Sequence, residues 1–395
     1  MNPAIVIPTY WTAGSAGAGS PYAYDYSTPI DAEAPELKTC LASLEQVRDL
    51  PHIIILVVCP FSATEEVIAR IQPILHDHPN MDITLVTHHE SARIIERVNS
   101  VASNLEGEVV SLRGYGAIRN MGLAAAAIYG HDAVIFLDDD DVALAPDFME
   151  KALYGLGRQT RQKLPILAKS GYFYNRAGSP LADAAGKSSP TRRWWSRGSA
   201  FNSWMGKALE GPRISRANHL YGGCFVLHAH AFRNVAFDPY ITRGEDMDYL
   251  FNLRLYGLDV WFDNVWAVKN MAPREPEGSV RFLQDVYRWY YEREKLQFAS
   301  GRQSLHPVTA DSLMPYPGPW VSDELDVRAR RTAVARMLLT REHMNYRRIW
   351  HRGIDDARAY ARQNAGRYLR LQNYWSVIMD ALWEDAGLVR ALERG

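Results

Sequence analysis

Short apolar runs alternate with amphipathic stretches through the first third of the chain, and this order restricts the fold more than any other feature. The clearest run, Ile53–Val58, is continuous and rich in β-branched residues, as in a strand that is buried on both faces. A helical spacing of apolar residues follows over Ala63–Leu75. Repeated strand–helix units of this kind predict an α/β fold, with a mostly parallel sheet flanked by crossover helices.

The same patterns place the other elements. Predicted strands cover Ala4–Ile7 (ended by Pro8), Ile53–Val58, Ile83–Val86, Ala133–Leu137, Gly222–Leu227, Val260–Phe262 and Val265–Val268. Predicted helices cover Leu37–Val47, Ala63–Leu75, Ile118–Ile128, Asp246–Tyr256, Val280–Phe298, Asp323–Leu339, Tyr346–Arg362 and Tyr368–Leu392. Residues 176–220 show no clear period, so we expect a long irregular segment there.

Composition excludes several classes of protein. Hydrophobic residues make up 47% and charged residues 23% of the 395 residues, which is typical of a folded globular protein. A net charge of -1 argues against a nucleic-acid binder that works through bulk electrostatics. The 3 cysteines are far apart and lack metal-binding spacing, which favours a reducing compartment. We find no signal peptide or transmembrane segment in the sequence, and expect a cytoplasmic protein, either free or peripheral to a membrane.

Four consecutive aspartates, Asp138–Asp141, follow the predicted strand Ala133–Leu137. Ligands of open α/β folds bind at the carboxyl ends of the strands. Packed carboxylates repel one another unless a cation offsets their charge, and Mg²⁺ and Mn²⁺ prefer oxygen ligands. The pattern favours a site for a metal ion and a diphosphate. The alternative is a solvated acidic turn in which one aspartate, Asp141, caps the helix that follows.

Two further motifs lie at predicted helix starts. In Gly244-Glu245-Asp246 the carboxylates stand where the helix dipole keeps an acid ionised, so Asp246 is a candidate general base. Arg119 follows Gly116 at the start of the alanine-rich helix, where backbone N–H groups and the guanidinium together suit a phosphate. Each motif taken alone is equally consistent with ordinary helix capping or a solvated arginine.

The order of these motifs resembles that of the GT-A glycosyltransferase fold, most nearly glycosyltransferase family 2 and its relatives. The matching pieces, over residues 3–270, are Ile5-Val6-Ile7-Pro8-Thr9, Arg119-Asn120-Met121-Gly122, Phe136-Leu137-Asp138-Asp139-Asp140, Gly222-Gly223 and Gly244-Glu245-Asp246. We therefore expect a catalytic domain over residues 1–275, with a donor half at 1–145 and an acceptor half at 146–275. Residues 276–395 are expected to form a helical C-terminal region.

The resemblance implies roles for individual residues. Donor binding is assigned to Pro8, Thr9, Arg119, Asp138, Asp139, Gly222 and Gly223. Asp138 and Asp140 would hold Mn²⁺ or Mg²⁺ against the diphosphate of a nucleotide sugar. Asp246, with Glu245 beside it, would be the catalytic base of an inverting transfer.

The sequence also departs from the family pattern. No carboxylate follows the second strand in Val58–Ser62, where the family usually places an aspartate that reads the base. The nucleotide is therefore left open between a UDP- and a GDP-sugar. A histidine ligand that the fold often supplies is replaced by Val268-Lys269-Asn270. The third metal ligand is left open, with Asn270 and the more distant His306 as candidates.

The predicted function is a metal-dependent transfer of a sugar from a nucleotide-diphosphate sugar to a hydroxyl acceptor, such as a saccharide or a lipid-linked acceptor. A retaining transferase with the same donor site is the first alternative. A sugar nucleotidyltransferase would need a basic glycine-rich loop after the first strand, and the run Gly14–Ser20 has no basic residue. A non-catalytic binder would have lost the aspartates or Asp246, and this chain keeps both.

Two regions carry aromatic and basic residues outside these motifs. In the irregular segment, Arg192, Arg193, Trp194, Trp195 and Trp204 indicate a lid over the acceptor site. In the C-terminal region, Trp289, Tyr290, Tyr291 and Trp320 admit two interpretations. They pack the helices onto the catalytic domain or a second subunit, or they bind the acceptor or a membrane surface.

Overall fold

A central sheet carries helices on both of its faces. The structure is a computed structural model and describes residues 1–12, 24, 27–103, 105, 109–182, 191, 194–272 and 278–393. The strands are β1 (Pro3–Thr12), β2 (Thr28–Pro29), β3 (His52–Val58), β4 (Ile83–Val86), β5 (Ala133–Phe136), β6 (Asp141–Ala143), β7 (Ala168–Tyr174), β8 (Ile214–Arg216), β9 (Phe225–His228) and β10 (Val260–Asn270).

The strand order in the sheet is β4-β3-β1-β5-β9-β7-β10-β6, with β2 paired to β1 and β8 to β10. Strands β4, β3, β1 and β5 are parallel, as the sequence predicts. Strand β9 runs antiparallel between β5 and β7, and β6 and β8 pair antiparallel with β10. The predicted strands Val260–Phe262 and Val265–Val268 form one strand, whose register shifts between Phe262 and Ala267.

The first strand continues through Pro8 rather than ending there. The carbonyl of Val6 accepts a hydrogen bond from the amide of Leu137 at 3.1 Å. Alternate residues of a strand direct their backbone groups to the same side, so Pro8, like Val6, faces the β5 side of β1. Strand β5 ends at Phe136, before it reaches Pro8. Proline has no N–H to donate, and β1 tolerates Pro8 because no residue of β5 pairs with it on that side.

The helices of the first two thirds are α1 (Glu36–Leu44), α2 (Thr64–His76), α3 (His88–Val101), α4 (Tyr115–Ile128), α5 (Phe148–Leu153), α6 (Gly198–Glu210), α7 (Ala229–Phe232) and α8 (Glu245–Leu255). Those that follow are α9 (Ser279–Ser300), α10 (Gly318–Val321), α11 (Leu325–Leu339), α12 (His343–Arg348), α13 (Ile354–Leu382) and α14 (Ala386–Leu392). A π-helical turn, Ile349–Gly353, joins α12 to α13. None of the described helices has the length and apolar character that crossing a membrane requires.

Alternate side chains of each central strand enter cores on opposite faces of the sheet. In β1, Ile5 and Ile7 pack into the core that contains α1 and α2, whereas Ala4 and Val6 enter the core that contains α4. The second core extends without interruption to α9 and α13, with Trp289 and Trp375 both fully buried. The C-terminal helices therefore share one hydrophobic core with the sheet. The expected domain boundary near residue 275 stays a prediction.

Candidate active site

Three carboxylates converge where β5 ends. Oxygen atoms of Asp138, Asp140 and Asp141 lie within 4.8 Å of one another. Asp141 opens β6 and is fully buried, so its predicted alternative role as a helix cap is wrong. The next helix, α5, has Asp147 at its N-cap position. The structure adds Asp141 to the pair that the sequence analysis selected.

Two polar side chains hold these carboxylates. The Tyr221 hydroxyl donates to Asp141 at 3.0 Å from Oδ1 and 3.2 Å from Oδ2. The Asn270 Nδ2 donates to Asp140 and Asp141, at 3.0 Å each. Asn270 therefore reaches the cluster through its N–H group, whereas its Oδ1, the atom able to bind a metal, accepts from the amide of Ala272 at 3.2 Å. His306 does not reach the cluster, because it lies beside Gly257 after helix α8.

Repulsion between these buried carboxylates favours the binding of a cation. Burial, with the neighbouring charges of Asp138 and Glu36, raises the pKa of Asp140 to about 7. Burial and then Asp140 raise the pKa of Asp139 well above its ordinary value. Burial and the neighbouring charge of Asp140 also raise the pKa of Asp141. Three convergent carboxylates fit Mg²⁺ or Mn²⁺, because a divalent ion offsets their repulsion.

Asp139 is not one of these three carboxylates, and its side chain contacts Thr9 instead. The two side chains hydrogen-bond, and Thr9 also accepts from the Trp11 indole at 3.0 Å. Thr9 and Pro8 are both buried, and neither lines the cavity at this edge of the sheet. Tyr10 lines it instead.

The backbone of Gly223 lies directly against the carboxylates. A Cβ added there would stand 1.8 Å from Asp141 Oδ2 and 2.9 Å from Asp138 Oδ2, so only glycine fits. At Gly222 a Cβ would stand 2.9 Å from Arg119 Nη2 and 3.5 Å from Asp246 Cβ. The two predicted glycines therefore join the aspartate cluster to Arg119 and Asp246.

Arg119 forms a buried bridge between two of the motifs. Its Nη2 donates to Asp138 Oδ1 at 2.8 Å, and its Nε donates to Glu245 Oε1 at 3.1 Å. Burial, partly countered by Arg119, raises the pKa of Glu245 to about 7. The guanidinium stacks 5.1 Å from the centre of the Phe136 ring. Its Nη1 is buried without a hydrogen-bond partner among the described residues, so Arg119 keeps one donor for a ligand.

Asp246 is partly exposed in the first turn of α8. Its Oδ1 accepts from the amide of Met247 at 2.7 Å. Gly244 precedes it in the left-handed conformation, with φ 71°, and a Cβ there would stand 2.0 Å from Arg288 Cζ. The close approach of this guanidinium explains the glycine, and it places a positive charge next to the candidate base.

One cavity of about 720 Å³ contains the predicted carboxylates Asp138, Asp139, Asp140, Glu245 and Asp246 together with Arg119 and Gly222. Three tyrosines that the sequence analysis missed lie at one end. The ring centre of Tyr24 is 4.8 Å from that of Tyr10 and 5.2 Å from that of Tyr115. Tyr10 and Tyr115 line the cavity and offer aromatic surface to a planar ligand.

The opposite end is formed by the segment before α6 and by C-terminal helices. Trp195, Arg197 and Phe201 come from the region predicted to be irregular, and Phe201 lies in the unpredicted helix α6. Trp204 in that helix is buried against Phe262. Arg192 and Arg193 of the predicted lid, like Gly14–Ser20, lie outside the described residues.

The structure supports the packing interpretation of the C-terminal aromatic residues, and acceptor or membrane binding by this region stays a prediction. The aromatic side chains Trp289, Tyr290, Tyr291 and Trp320 are buried in the core, which is the packing interpretation. Residues of α9 and α11, with Tyr316 between them, also line the cavity: Arg281, Phe282, Asp285, Arg288 and Arg336. The C-terminal helices thus complete the wall of the site.

The acidic cluster at a strand end and the acidic helix start that lines the same cavity are the features on which the resemblance to the GT-A fold rests. The family described as "Glycosyltransferase like family 2" matches residues 51–292, and the chain belongs to this family. It is a glycosyltransferase. No curated protein matches the sequence significantly.

Solved structures with low sequence identity resemble this chain. The mannosyltransferase PcManGT from Pyrobaculum calidifontis, in complex with GDP-Man and Mn²⁺, is 14% identical over 96% of this chain and 84% of its own, with TM-score 0.47. GalNAc-T7 with UDP, GalNAc and Mn²⁺ is 12% identical over 83% of this chain and 53% of its own, with TM-score 0.43. Glucosyl-3-phosphoglycerate synthase from Mycobacterium tuberculosis, with Mg²⁺ and UDP, is 13% identical over 73% of this chain and 79% of its own, with TM-score 0.35.

Proposed function

We propose that this enzyme transfers a sugar from a UDP- or GDP-sugar to an acceptor hydroxyl, with inversion at the anomeric carbon. The observation that carries the proposal is that the partly exposed Asp246 shares one cavity with the Asp138–Asp140 cluster. A base and a site for a leaving diphosphate are the two groups that an inverting displacement needs on either side of the sugar.

Asp138, Asp140 and Asp141 would hold Mn²⁺ or Mg²⁺, since their oxygens converge within 4.8 Å. The bound cation supplies positive charge that stabilises the departing diphosphate. Tyr221 and Asn270 keep the carboxylates in place through hydrogen bonds of 3.0 Å. Thr9 contributes indirectly, because its hydroxyl orients Asp139.

The donor nucleotide would lie along the edge formed by β1 and α4. The base stacks on Tyr10 and Tyr115, because aromatic rings suit planar ligands. The unpartnered Nη1 of Arg119 faces no other described acceptor and is available to a donor oxygen. Glu245 is a positioning residue, since it contacts Arg119 and fixes its orientation.

The chemical step follows from the position of Asp246. Its carboxylate accepts the proton of the acceptor hydroxyl while the acceptor oxygen forms a bond to the anomeric carbon. The bond from that carbon to the phosphate oxygen breaks on the opposite face, and its electron pair leaves with the nucleoside diphosphate. Asp246 lies in the first turn of α8, and the Gly244 backbone beside it packs against the Arg288 guanidinium.

The test compares Asp246→Asn with the wild type in two measurements. Calorimetric binding of UDP and GDP with Mg²⁺ should be unchanged, because Asp246 makes no contact with the cation cluster. Transfer to an acceptor panel, followed as nucleoside diphosphate release, should fall by about 10²–10⁴-fold, which is the typical contribution of a general base. Proton NMR of the product gives the anomeric configuration. Retention, or near-native turnover of the variant, would show that Asp246 is not the base.

A further inference from the structure

Charged side chains are segregated within the cavity. The end formed by β5 and α4 carries Asp138, Asp139, Asp140 and Glu245 around Arg119. Among the described residues lining the other end, five are arginines: Arg197, Arg243, Arg281, Arg288 and Arg336. The acidic residues there are Asp246 and Asp285. We call this second end the arginine wall.

Contacts show where the arginine wall lies relative to the chemistry. Arg119 donates a hydrogen bond to Asp138 and also lies against Gly222. The Gly222 backbone in turn lies against Asp246. Two residues before Asp246, the Gly244 backbone lies against Arg288. Arg288 of the arginine wall therefore lies beside the segment that carries Asp246, and a molecule bound at this wall is close to the base.

Asp285 orients two arginines of the wall. Its Oδ1 accepts from Arg243 Nη1 at 2.7 Å, and its Oδ2 lies 3.3 Å from both Arg197 Nη2 and Trp195 Nε1. Burial alone would raise the pKa of Asp285, but Arg197, Arg243 and Arg288 hold it below its ordinary value. One carboxylate thus fixes the orientation of two guanidinium groups, and a fixed guanidinium is prepared for a ligand at little entropic cost.

Arg288 has a buried acidic partner of its own. The Nε donates to Glu292 Oε1 at 3.1 Å, and both side chains are buried. Burial raises the pKa of Glu292 to about 8, and the neighbouring charge of Arg288 opposes this rise. Arg197 lies within 6.0 Å of the Trp289 ring centre and Arg288 within 4.5 Å, so the two cations share one aromatic support.

We propose that the arginine wall binds a phosphate ester group of the acceptor and thereby directs the acceptor hydroxyl to Asp246. This inference rests on the proposed function and names the acceptor class for it. Planar guanidinium forks match phosphate oxygens in geometry and charge, and the closest of them stand beside the base. The proposed site of the donor diphosphate is the aspartate cluster, which shares no residue with the arginine wall.

The test uses matched probes on the full chain with Mg²⁺ and saturating UDP or GDP. Calorimetry compares glycerol 3-phosphate with glycerol, and inositol 1-phosphate with inositol. We expect the phosphorylated member of at least one pair to bind about tenfold or more tightly, as charge-assisted hydrogen bonds predict. Vesicles of phosphatidylcholine with and without phosphatidylinositol form a third pair, and binding confined to that pair would identify a lipid phosphate as the source.

Arg197→Gln is the main variant, because its side chain is 28% exposed and its loss should leave the fold intact. Binding of the phosphorylated probe should weaken about tenfold, with UDP and GDP binding unchanged. Arg216→Gln, at a 65% exposed position outside the cavity, is the control and should change neither. Arg281→Gln, on α9, repeats the test from a second element.

Three outcomes separate the hypotheses. Equal binding of phosphorylated and neutral probes would overturn the acceptor inference while leaving the donor site intact. A variant that weakens nucleotide binding as much as probe binding would assign the arginine wall to the donor diphosphate and would also overturn it. Failure of both UDP and GDP to bind the wild type with Mg²⁺ would instead contradict the proposed function.

Discussion

A residue of the aspartate cluster that suits a bound cation destabilises the folded protein when no cation is bound. Burial and neighbouring carboxylates raise the pKa of Asp140 to about 7, above its ordinary 3.8. A raised carboxyl pKa means that the ionised form is disfavoured in the folded state, so its destabilising effect develops as pH rises from about 4 to 7. Without a cation, Asp140 thus weakens the fold at neutral pH.

We therefore predict that Asp140→Asn raises the melting temperature of the metal-free protein at pH 7.5 by a few degrees, because it removes one repelling charge. The same variant should lose the stabilisation that Mn²⁺ and nucleotide confer on the wild type. Thermal shift with and without the cation measures both effects. Asp77→Asn, at an exposed ion pair with Lys38, is the control. A variant that still gains stability from Mn²⁺ would contradict the assigned ligand.

A pair of glycine substitutions tests the close packing at Gly223. Gly223→Ala would direct a Cβ to within 1.8 Å of the buried Asp141 carboxylate, and overpacking of this kind costs about 1–3 kcal/mol. It should also abolish cation-dependent nucleotide binding. Gly206→Ala in α6 meets no atom within 4 Å and should instead stabilise the protein by about 0.5–1 kcal/mol. Urea denaturation compares the two, and a silent Gly223→Ala would show that the site can relax.

At the residue scale the sequence predicted the acidic clusters but not their partners. Asp138, Asp140 and Asp246 were found because a run of carboxylates after a buried strand, or at a helix start, is visible in the chain itself. Tyr221 and Asn270 come from segments 80 and more residues away, and the register of β10 against β6 brings Asn270 to Asp141. Such pairings depend on sheet topology, which no local pattern encodes.

At the scale of elements, the missed helices had readable signals. Helix α3 opens on Thr87 and Glu90, which form a complete capping box. Helix α6 buries Phe201, Trp204, Met205 and Ala208, a spacing of helical period. Its glycine, serine and asparagine content lowers helix propensity, so burial of the aromatic face rather than propensity stabilises this helix.

Helix α9 is tied to the catalytic half by a buried ion cluster. Lys295 Nζ contacts Asp248 and donates to Asp238 Oδ2 at 3.0 Å and Asn252 Oδ1 at 2.8 Å, and Tyr291 donates to Asp238 at 2.7 Å. Lys295, Asp238 and Asp248 are each fully buried. A cluster of this type is sensitive to the loss of one member, because the remaining charges have no water to solvate them.

We predict that Lys295→Met destabilises the protein by about 3–5 kcal/mol, since it leaves two buried carboxylates without a cation. The free energy of unfolding in urea measures the effect. Lys207→Met, at an exposed position on α6, should change stability by less than about 0.5 kcal/mol. If Lys295→Met unfolded at the wild-type urea concentration, α9 would not depend on this cluster.

At the scale of the whole molecule, these contacts bear on the expected division at residue 275. The fold class followed from the strand–helix order, and the composition change after about residue 276 indicated a separate helical region. A composition change does not report burial, however, and Trp289 and Tyr291 are fully buried in a core that also contains Ile118 and Phe136. A chain segment that shares the core of its neighbour does not fold apart from it.

The last prediction is therefore that residues 1–275 do not form a stable domain when expressed alone. Truncation exposes the apolar surface that α9 and α13 cover and leaves Asp238 and Asp248 without Lys295. The fragment should show no cooperative thermal transition and no nucleotide binding, while the full chain unfolds in one calorimetric transition. A fragment that unfolds cooperatively and binds UDP or GDP with Mg²⁺ would establish an independent catalytic domain. In that case the arginines of α9 and α11 would belong to a separable acceptor module, and transfer would require both parts.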